Sequence, residues 1–194
     1  HSSGTVHTRY FTDNRMLKTQ HYKRSIPKFS LDTVVVGAYF DDEMRRKIHR
    51  FKFVHNHVDH VYFDELFSHI QEEYPYVPDV IVYPPISLRD RILRWPNHAR
   101  LLAQYFSSEN VRIICPFRKK LFSSHQSRRT RAERTQVREE YSFNQQYRES
   151  VKGKKILLID DIITTGYTAH TLGQLLKKAG AKEVVGYFLA SEKV

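Results

Sequence analysis

The apolar residues beyond position 30 follow two patterns, short uninterrupted runs and segments with helical spacing. Uninterrupted apolar runs are typical of strands that are buried on both faces of a parallel sheet. Helical spacing followed by capping residues is typical of amphipathic helices. Alternation of the two predicts an α/β fold with a mostly parallel twisted sheet flanked by helices. The predicted strands are residues 33–40, 80–83, 111–115, 140–143, 156–159 and 183–189, and the predicted helices are residues 43–53, 63–74, 97–106 and 169–178.

One stretch combines an apolar strand, two acids, a turn of small hydroxylated residues and a helix. The apolar residues 156–159 lead directly into Asp160 and Asp161, and Gly166 lies in the turn that follows. Backbone N–H groups and the dipole at the start of a helix favour an anion such as a phosphate monoester. Glycine lets the backbone approach that anion closely. The carboxylates repel phosphate but suit sugar hydroxyls or a divalent metal, so the stretch predicts a site for a sugar phosphate.

The run from Ile156 to Thr168 resembles the phosphoribosyl-diphosphate signature of type I phosphoribosyltransferases. That signature is an apolar strand, two acids, two apolar residues and Thr-Thr-Gly-x-Thr. The resemblance implies the fold of that family with a small N-terminal hood, 5-phosphoribosyl 1-diphosphate as substrate and Mg²⁺ as cofactor. It implies that Asp160 and Asp161 are catalytic, hold the ribose hydroxyls and bind Mg²⁺ directly or through water. The implied 5′-phosphate ligands are Ile162, Thr164, Thr165, Gly166, Tyr167 and Thr168. A buried strand with an acidic cap and a threonine-rich turn is the simpler alternative.

Composition narrows the class of protein without choosing a ligand. A chain of 194 residues with 40% hydrophobic and 27% charged residues is expected to form one domain, or one domain with an appendage. It has no membrane-spanning apolar run and no secretory segment, and the single Cys115 excludes an internal disulfide framework and a cysteine-cluster zinc site, so a cytoplasmic location is expected. The net charge of +11 indicates anionic partners, either a phosphorylated substrate or nucleic acid.

Four segments are expected along the chain. Residues 1–4 resemble the end of an expression tag, residues 5–30 form a basic arm, residues 31–77 form the hood, and residues 78–194 form the core. His55, His57 and His60 lie close together in the hood, but their spacing does not match a zinc helix. We interpret them as part of a solvated loop rather than a metal site.

Two further segments are candidates for binding pyrophosphate. The prolyl turn that begins at Tyr83 follows a strand, and in the resembled family such a loop cradles pyrophosphate through its amides, although an ordinary strand–turn is equally compatible. The basic residues 118–138 are expected to form a mobile loop leading into a short helix, which closes over pyrophosphate or simply remains a solvated basic loop. The residues implied for pyrophosphate are Tyr83, Pro84, Pro85, Arg94, Arg128, Arg131 and Arg134.

Shorter matches resemble the ComF family of competence-associated phosphoribosyltransferase-like proteins. They are Phe51-Lys52-Phe53, Arg94-Trp95-Pro96-Asn97 after Pro84-Pro85, and Arg131-Ala132-Glu133-Arg134 after Gln126-Ser127. Two features depart from that family. A single cysteine cannot supply its N-terminal zinc ribbon, and Trp95-Pro96 replaces its Gly-Phe pair, which leaves the acceptor side of the site open.

Two functions follow from the resemblance. The first is an enzyme that transfers the phosphoribosyl group to an amine or nucleobase nitrogen and releases pyrophosphate, with its acceptor site within residues 31–77. The second is a non-catalytic module that binds ribose phosphate and acts with single-stranded DNA in uptake or recombination. No residue is identified as a dedicated general base, no membrane partner is expected, and a homodimer is left open.

Overall fold

The computed structural model describes residues 8–12, 15–17, 29–53, 57–86, 97–107, 110–119 and 141–191. In chain order the strands are β1 (Thr8–Thr12), β2 (Arg15–Leu17), β3 (Thr33–Tyr39), β4 (Val80–Val82), β5 (Arg112–Ile114), β6 (Phe117–Lys119), β7 (Tyr141–Phe143), β8 (Lys155–Ile163) and β9 (Glu183–Ser191). The helices are α1 (Asp42–Phe53), α2 (His57–Glu73), α3 (His98–Tyr105), α4 (Arg148–Val151) and α5 (Tyr167–Lys178), with a 3₁₀ turn at Gln145–Tyr147.

Seven strands form one sheet in the order β2-β1-β3-β9-β8-β4-β5. Every neighbouring pair from β1 to β5 in that order is parallel, and only β2 runs antiparallel to its neighbour. Strands β6 and β7 form a separate antiparallel pair. The predicted α/β class with a mostly parallel sheet flanked by helices is therefore confirmed.

Helices cover both faces of the sheet. Leu172 and Leu176 of α5 pack with Ile156 and Leu158 of β8 on one face. Residues of α1, α2 and α3 pack with Leu157 and Ile159 of the same strand on the other face. Burial on both faces explains why the apolar run of β8 is uninterrupted. None of the helices in the described part of the chain is both long and apolar enough to cross a bilayer.

The N-terminal segment contains more regular structure than its composition predicts. Residues 5–30 are predicted to form an arm without sustained periodicity, yet β1 pairs in parallel with β3, and β2 extends the sheet by one more strand. Pairing along a sheet edge satisfies main-chain N–H and C=O groups whatever the side chains are. The sheet also includes β3, which belongs to the segment expected to form the hood (residues 31–77) and pairs with β9.

The second helix begins earlier than predicted. Residues 57–60 are helical in α2, so the predicted loop around His57 and His60 is wrong for these two positions, while His55 lies outside the described residues. Histidine has an intermediate helix propensity, and packing of the helix against its neighbours outweighs that weak preference. The described residues contain no cluster of three or more histidine, cysteine, aspartate or glutamate side chains that could hold a metal ion.

The boundaries at the carboxyl edge of the sheet also differ from the prediction. Strand β8 continues through the acids to Ile163 instead of ending at Ile159, and α5 begins at Tyr167 rather than Ala169. Arg118 and Lys119, predicted to lie in a mobile loop, belong to strand β6. Helix α1 is capped by Asp41, whose Oδ1 atom accepts a hydrogen bond from the Met44 N–H at 2.8 Å.

Candidate functional site

The topology opens a crevice between the carboxyl ends of β8 and β4. From β8 the chain passes through α5 to β9 on one side, and from β4 it reaches β5 on the other side by a connection that contains α3. Helices α5 and α3 cover opposite faces of the sheet. In open α/β sheets, ligands bind where neighbouring connections diverge in this way. The chain order therefore locates a ligand site between β8 and β4 without reference to any motif.

The two acids lie where the regular alternation of β8 breaks. Residues on one face of a strand are separated by an even number of positions. Ile159 and Ile162, three positions apart, nevertheless pack in the same core cluster, while Ile163 packs in the opposite one. The shift falls at Asp160 and Asp161. Pairing with β9 keeps a constant offset across it, from Asp160↔Phe188 to Ile162↔Ala190, so the two strands change face together.

Both carboxylates hydrogen-bond the local main chain. The Asp160 Oδ1 atom accepts the N–H of Asp161 at 2.9 Å, and the Asp161 Oδ1 atom accepts the N–H of Ile162 at 2.8 Å. Both aspartates are half-buried. Strand β4 pairs with β8 only as far as Val82 opposite Leu158, so the acids lie beyond the last β4–β8 pair. Their carboxylates therefore stand at the mouth of the crevice on a rigid strand.

The turn between β8 and α5 is accessible and has the geometry of an anion site. Gly166 is the N-cap residue in the left-handed conformation, with φ 74° and ψ 1°. Thr164 and Thr165 are exposed, and Tyr167 is 40% exposed. The Thr165 Oγ1 atom accepts the N–H of Tyr167 at 3.4 Å. The first N–H groups of a helix lack intrahelical acceptors, and they carry the positive end of the dipole, so an anion at this turn meets favourable partners.

One side of the same turn is covered by apolar side chains. The half-buried Phe29 lies against Gly166, and the Phe29 ring is 5.8 Å from the ring of His170. Burial lowers the pKa of His170 below its usual value. Within the described residues the buried Nδ1 atom of His170 has no hydrogen-bond partner. A neutral imidazole one turn into α5 therefore adds no positive charge to the site.

The loop after β4 lies across the crevice from the acids. The Asn97 side chain links this loop to α3, because its Nδ2 atom donates to the Pro84 carbonyl at 3.4 Å and its Oδ1 atom accepts the Arg100 N–H at 3.3 Å. Burial raises the pKa of the Tyr83 hydroxyl, with a further contribution from Cys115.

Several predicted residues fall outside the described part of the chain. These are the pyrophosphate candidates Arg94, Arg128, Arg131 and Arg134. Of the remaining candidates, Tyr83, Pro84 and Pro85 follow β4, while residues 160–168 follow or end β8. The structure thus brings two of the predicted segments to one edge of the sheet.

The acids fit a magnesium ion better than a metal that requires a protein cage. Mg²⁺ prefers oxygen ligands, keeps several waters and often binds through one or two carboxylates together with substrate phosphates. Asp160 and Asp161 supply two neighbouring carboxylates at a half-buried position. Residues for a shared protein–substrate magnesium site are therefore present.

Two residues at this edge are not identified by sequence reasoning. Phe29 lies in the predicted basic arm, where one aromatic residue carries no periodic signal. His170 is four residues beyond Gly166 in a helix, and only its contact with Phe29 shows that it is desolvated. The helix cap at Asn97 is predicted, but its bond to Pro84 depends on two segments meeting in space.

Comparisons with known proteins connect this edge of the sheet to a family. Residues 98–192 match the family model described as phosphoribosyl transferase domain. An adenine phosphoribosyltransferase of Campylobacter fetus is 51% identical over 41 residues, which are 21% of this chain and 22% of that protein. An amidophosphoribosyltransferase of Archaeoglobus fulgidus is 49% identical over 37 residues, 19% of this chain and 8% of that protein. This chain therefore spans less than a quarter of the curated relatives that it matches.

Two solved structures that match this chain have lower sequence identity than these curated relatives. Glutamine phosphoribosylpyrophosphate (PRPP) amidotransferase from B. subtilis, complexed with ADP and GMP, has a TM-score of 0.45 and 22% identity, over 67% of this chain and 26% of that one. A purine phosphoribosyltransferase from Pyrococcus horikoshii has a TM-score of 0.35 and 15% identity, over 68% and 81% of the two chains. The family match includes the acids, the turn and α5, so the similarity to that family model falls on the candidate site.

Proposed function

We propose that this protein binds 5-phosphoribosyl 1-diphosphate together with Mg²⁺ and transfers the phosphoribosyl group to a nitrogen nucleophile, releasing pyrophosphate. The observation that carries the proposal is the position of two half-buried carboxylates beside an open helix-initiating turn, within one crevice of the sheet. A sugar phosphate presents hydroxyl groups that donate to carboxylates and a phosphate that accepts hydrogen bonds from the N–H groups of the turn. Similarity to the ComF family and a cytoplasmic location belong to the same proposal.

Each end of the crevice has a distinct role. The turn of residues 164–168 receives the 5′-phosphate through main-chain N–H groups and threonine hydroxyls. Asp160 and Asp161 accept hydrogen bonds from the ribose hydroxyls and lie near the positive charge that develops on the sugar. Their positions on a paired strand hold the sugar in place with little reorganisation.

The opposite wall of the crevice receives pyrophosphate. In the loop of residues 83–86 the main-chain N–H donors are those of Tyr83 and Ile86, because Pro84 and Pro85 have none. Asn97 bonds the Pro84 carbonyl and so restricts the shape of the loop. Asp160 and Asp161 would hold Mg²⁺, which would supply charge neutralisation for the leaving pyrophosphate. Arg94, Arg128, Arg131 and Arg134 remain proposed contacts to the same pyrophosphate.

Isothermal titration calorimetry with 5-phosphoribosyl 1-diphosphate and Mg²⁺ tests the proposed site. Asp160→Asn and Asp161→Asn keep side-chain size but remove charge, and each is expected to weaken binding by about tenfold or more. Asp79→Asn is the matched control, because Asp79 accepts the Lys155 N–H at 2.7 Å at the opposite end of β8. Unchanged affinity in both site variants, or equal loss in the control, would refute the site.

Turnover is tested separately from binding. Release of pyrophosphate is measured across a panel of nucleobases and amines, with the Asp160→Asn variant as the inactive control. If an acceptor causes pyrophosphate release by the unmodified protein but not by Asp160→Asn, the protein is an enzyme and the acceptor gives its substrate class. Tight binding with no release from the whole panel would contradict the enzyme and leave a ribose-phosphate-binding module.

Single-stranded DNA is the proposed second ligand of such a module, since a net charge of +11 is compatible with a nucleic-acid backbone as well as with a phosphorylated substrate. Replacement of Arg128, Arg129 and Arg131 by alanine then lowers retention of single-stranded DNA and its salt dependence. Retention that does not change would remove this segment as a DNA contact. Binding of 5-phosphoribosyl 1-diphosphate by the same variant shows whether the two ligands share the segment.

A further inference from the structure

A short segment before β3, the strap, lies along one stripe of α5. We define the strap as residues 29–32, and its contacts fall on Gly166, His170, Gly173 and Lys177. These four positions have the i, i+4, i+7, i+11 spacing of one helical face. The strap therefore follows the helix from its first turn to its last turn.

The middle of the strap approaches α5 closely because Gly173 has no side chain. A Cβ atom at Gly173 would lie 3.1 Å from the Ser30 carbonyl oxygen and 3.4 Å from the Leu31 side chain. Leu31 is 2% exposed and packs in the core cluster on this face. The strap is thus in direct contact with the helix rather than separated from it by solvent.

The far end of the strap is fixed by charge and main-chain bonds. Lys177 donates to the Asp32 carboxylate, whose Oδ2 atom also accepts the Val184 N–H at 2.7 Å. The Asp32 N–H donates to the Val184 carbonyl at 2.8 Å. These bonds anchor the strap to both α5 and β9. The anchored strap restricts the position of Phe29 at its other end.

Phe29 contacts the phosphate turn itself. The atom nearest to the position of a Cβ on Gly166 is Cε2 of Phe29 at 3.0 Å, and the next ones are Cζ of Phe29 at 3.3 Å and the Ile163 side chain at 3.8 Å. The remainder of the turn is exposed at Thr164 and Thr165. The phenyl ring therefore contacts the turn at Gly166, while Thr164 and Thr165 stay exposed.

We propose that Phe29 is a positioning residue of the phosphate turn: the anchored strap holds its ring against Gly166, and the ring keeps the turn in the conformation that receives the 5′-phosphate. This inference rests on the proposed function, since it assigns a role at the same site. Binding groups need neighbours that restrict their geometry, because small displacements weaken the hydrogen bonds to the ligand. Phe29 itself does not touch the substrate.

The test compares two ligands that occupy different ends of the crevice. Calorimetry with ribose 5-phosphate reports the turn, and calorimetry with inorganic pyrophosphate and Mg²⁺ reports the opposite wall. Phe29→Ala is expected to lower the affinity for ribose 5-phosphate by about tenfold, while the affinity for pyrophosphate changes by less than about twofold. Phe29→Leu, which keeps an apolar contact, is expected to recover most of the affinity for ribose 5-phosphate.

Leu31→Ala is the matched control within the strap. It removes a buried side chain away from the turn, so the melting temperature should fall at least as much as in Phe29→Ala. Its affinity for ribose 5-phosphate should stay close to that of the unmodified protein. A loss of both ligands in both variants would instead assign the strap to fold stability alone.

The outcomes separate this inference from the proposed function. Failure of the unmodified protein to bind ribose 5-phosphate contradicts the phosphate site and the role of Phe29 with it. Binding by the unmodified protein with equal affinity in Phe29→Ala overturns the role of Phe29 alone. If Phe29→Ala does not fold, Phe29→Val takes its place, because it shortens the contact with Gly166 but stays apolar. Weaker binding of ribose 5-phosphate than in Leu31→Ala supports the role of Phe29, and equal binding overturns it.

Discussion

At the scale of single residues, Gly166 combines two constraints that a side chain cannot meet together. Its φ of 74° lies in the left-handed region, and Phe29 occupies the space that a Cβ would need. Gly153 has a similar φ of 71° but nothing within 4 Å of that position. Comparison of Gly166 with Gly153 therefore separates the energetic cost of the left-handed conformation from the cost of a contact with Phe29.

We expect Gly166→Ala to destabilise the protein more than Gly153→Ala. Both variants lose about 1–2 kcal/mol for alanine in the left-handed region. The contact with Phe29 adds about 1–3 kcal/mol at position 166, as is typical of overpacking. Urea unfolding of the two variants measures the difference, and equal losses would show that Phe29 yields without cost.

The two acids show how much residue order alone can predict. Their adjacency after an apolar run, followed by a glycine-containing turn, predicts both ends of a sugar-phosphate site. Sequence does not show that β8 continues through them, nor that its faces shift at this point. Those features depend on pairing with β9, which begins 20 residues after β8 ends.

At the scale of elements, α3 links the stability of a helix to the shape of a loop. Asn97 caps the helix with its Oδ1 atom and holds the Pro84 carbonyl with its Nδ2 atom. The capping role follows from the sequence, since asparagine before an apolar-periodic segment is a favoured N-cap. The bond to Pro84 joins residues that are 13 positions apart and follows only from the fold.

Two substitutions of Asn97 are expected to separate these roles. Asn97→Ala loses the bond to the Arg100 N–H and the bond to the Pro84 carbonyl. Loss of the helix cap is expected to cost about 1 kcal/mol of stability. Asn97→Ser keeps a capping oxygen but is too short to reach Pro84, so stability is retained while pyrophosphate binding weakens.

Thermal unfolding and pyrophosphate calorimetry measure the two effects of substituting Asn97. Asn144→Ala, which removes the cap of the short 3₁₀ turn, is the control and should leave pyrophosphate binding unchanged. Equal pyrophosphate affinity in the Asn97→Ser variant and the unmodified protein would contradict the role of Asn97 in the loop.

At the scale of the whole molecule, tyrosines join the segment after α2 to the amino edge of the sheet. Tyr74 donates to Thr33 at 3.4 Å, Tyr76 donates to Glu183 at 3.3 Å, and Tyr187 donates to the Tyr74 carbonyl at 2.6 Å. Burial, and then the Glu183 charge, raise the pKa of Tyr76 well above 10, and burial also raises that of Tyr187. The edge opposite the site therefore depends on protonated phenols.

The protein is expected to lose stability as pH rises above about 10, the ordinary pKa of tyrosine. The folded state keeps Tyr76 protonated while the unfolded state releases its proton, so stability present below that pH is lost above it. One such group contributes at most about 1.4 kcal/mol per pH unit. Urea unfolding between about pH 9 and 11 should show this slope and a shallower one in Tyr76→Phe.

Glu183→Gln distinguishes the two causes of the raised pKa of Tyr76. It removes the charge but keeps a hydrogen-bond acceptor, so the pKa of Tyr76 in the folded state should fall only in part because burial remains, and the alkaline loss of stability should end at a lower pH. A slope identical in the unmodified protein and Tyr76→Phe would show that Tyr76 does not control alkaline unfolding.

Elements with local signals could be predicted from the order of residues. Uninterrupted apolar runs predict the buried central strands, and the order of acids, threonines and glycine predicts the sugar-phosphate site, because each depends on residues within one turn or strand. Four features follow from the fold and not from any local pattern: the edge pairing of β1 and β2, the early start of α2, the shift of faces at Asp160 and Asp161, and the contact of Phe29 with Gly166. Main-chain pairing and close packing join residues far apart in the chain, and no local pattern of side chains specifies them.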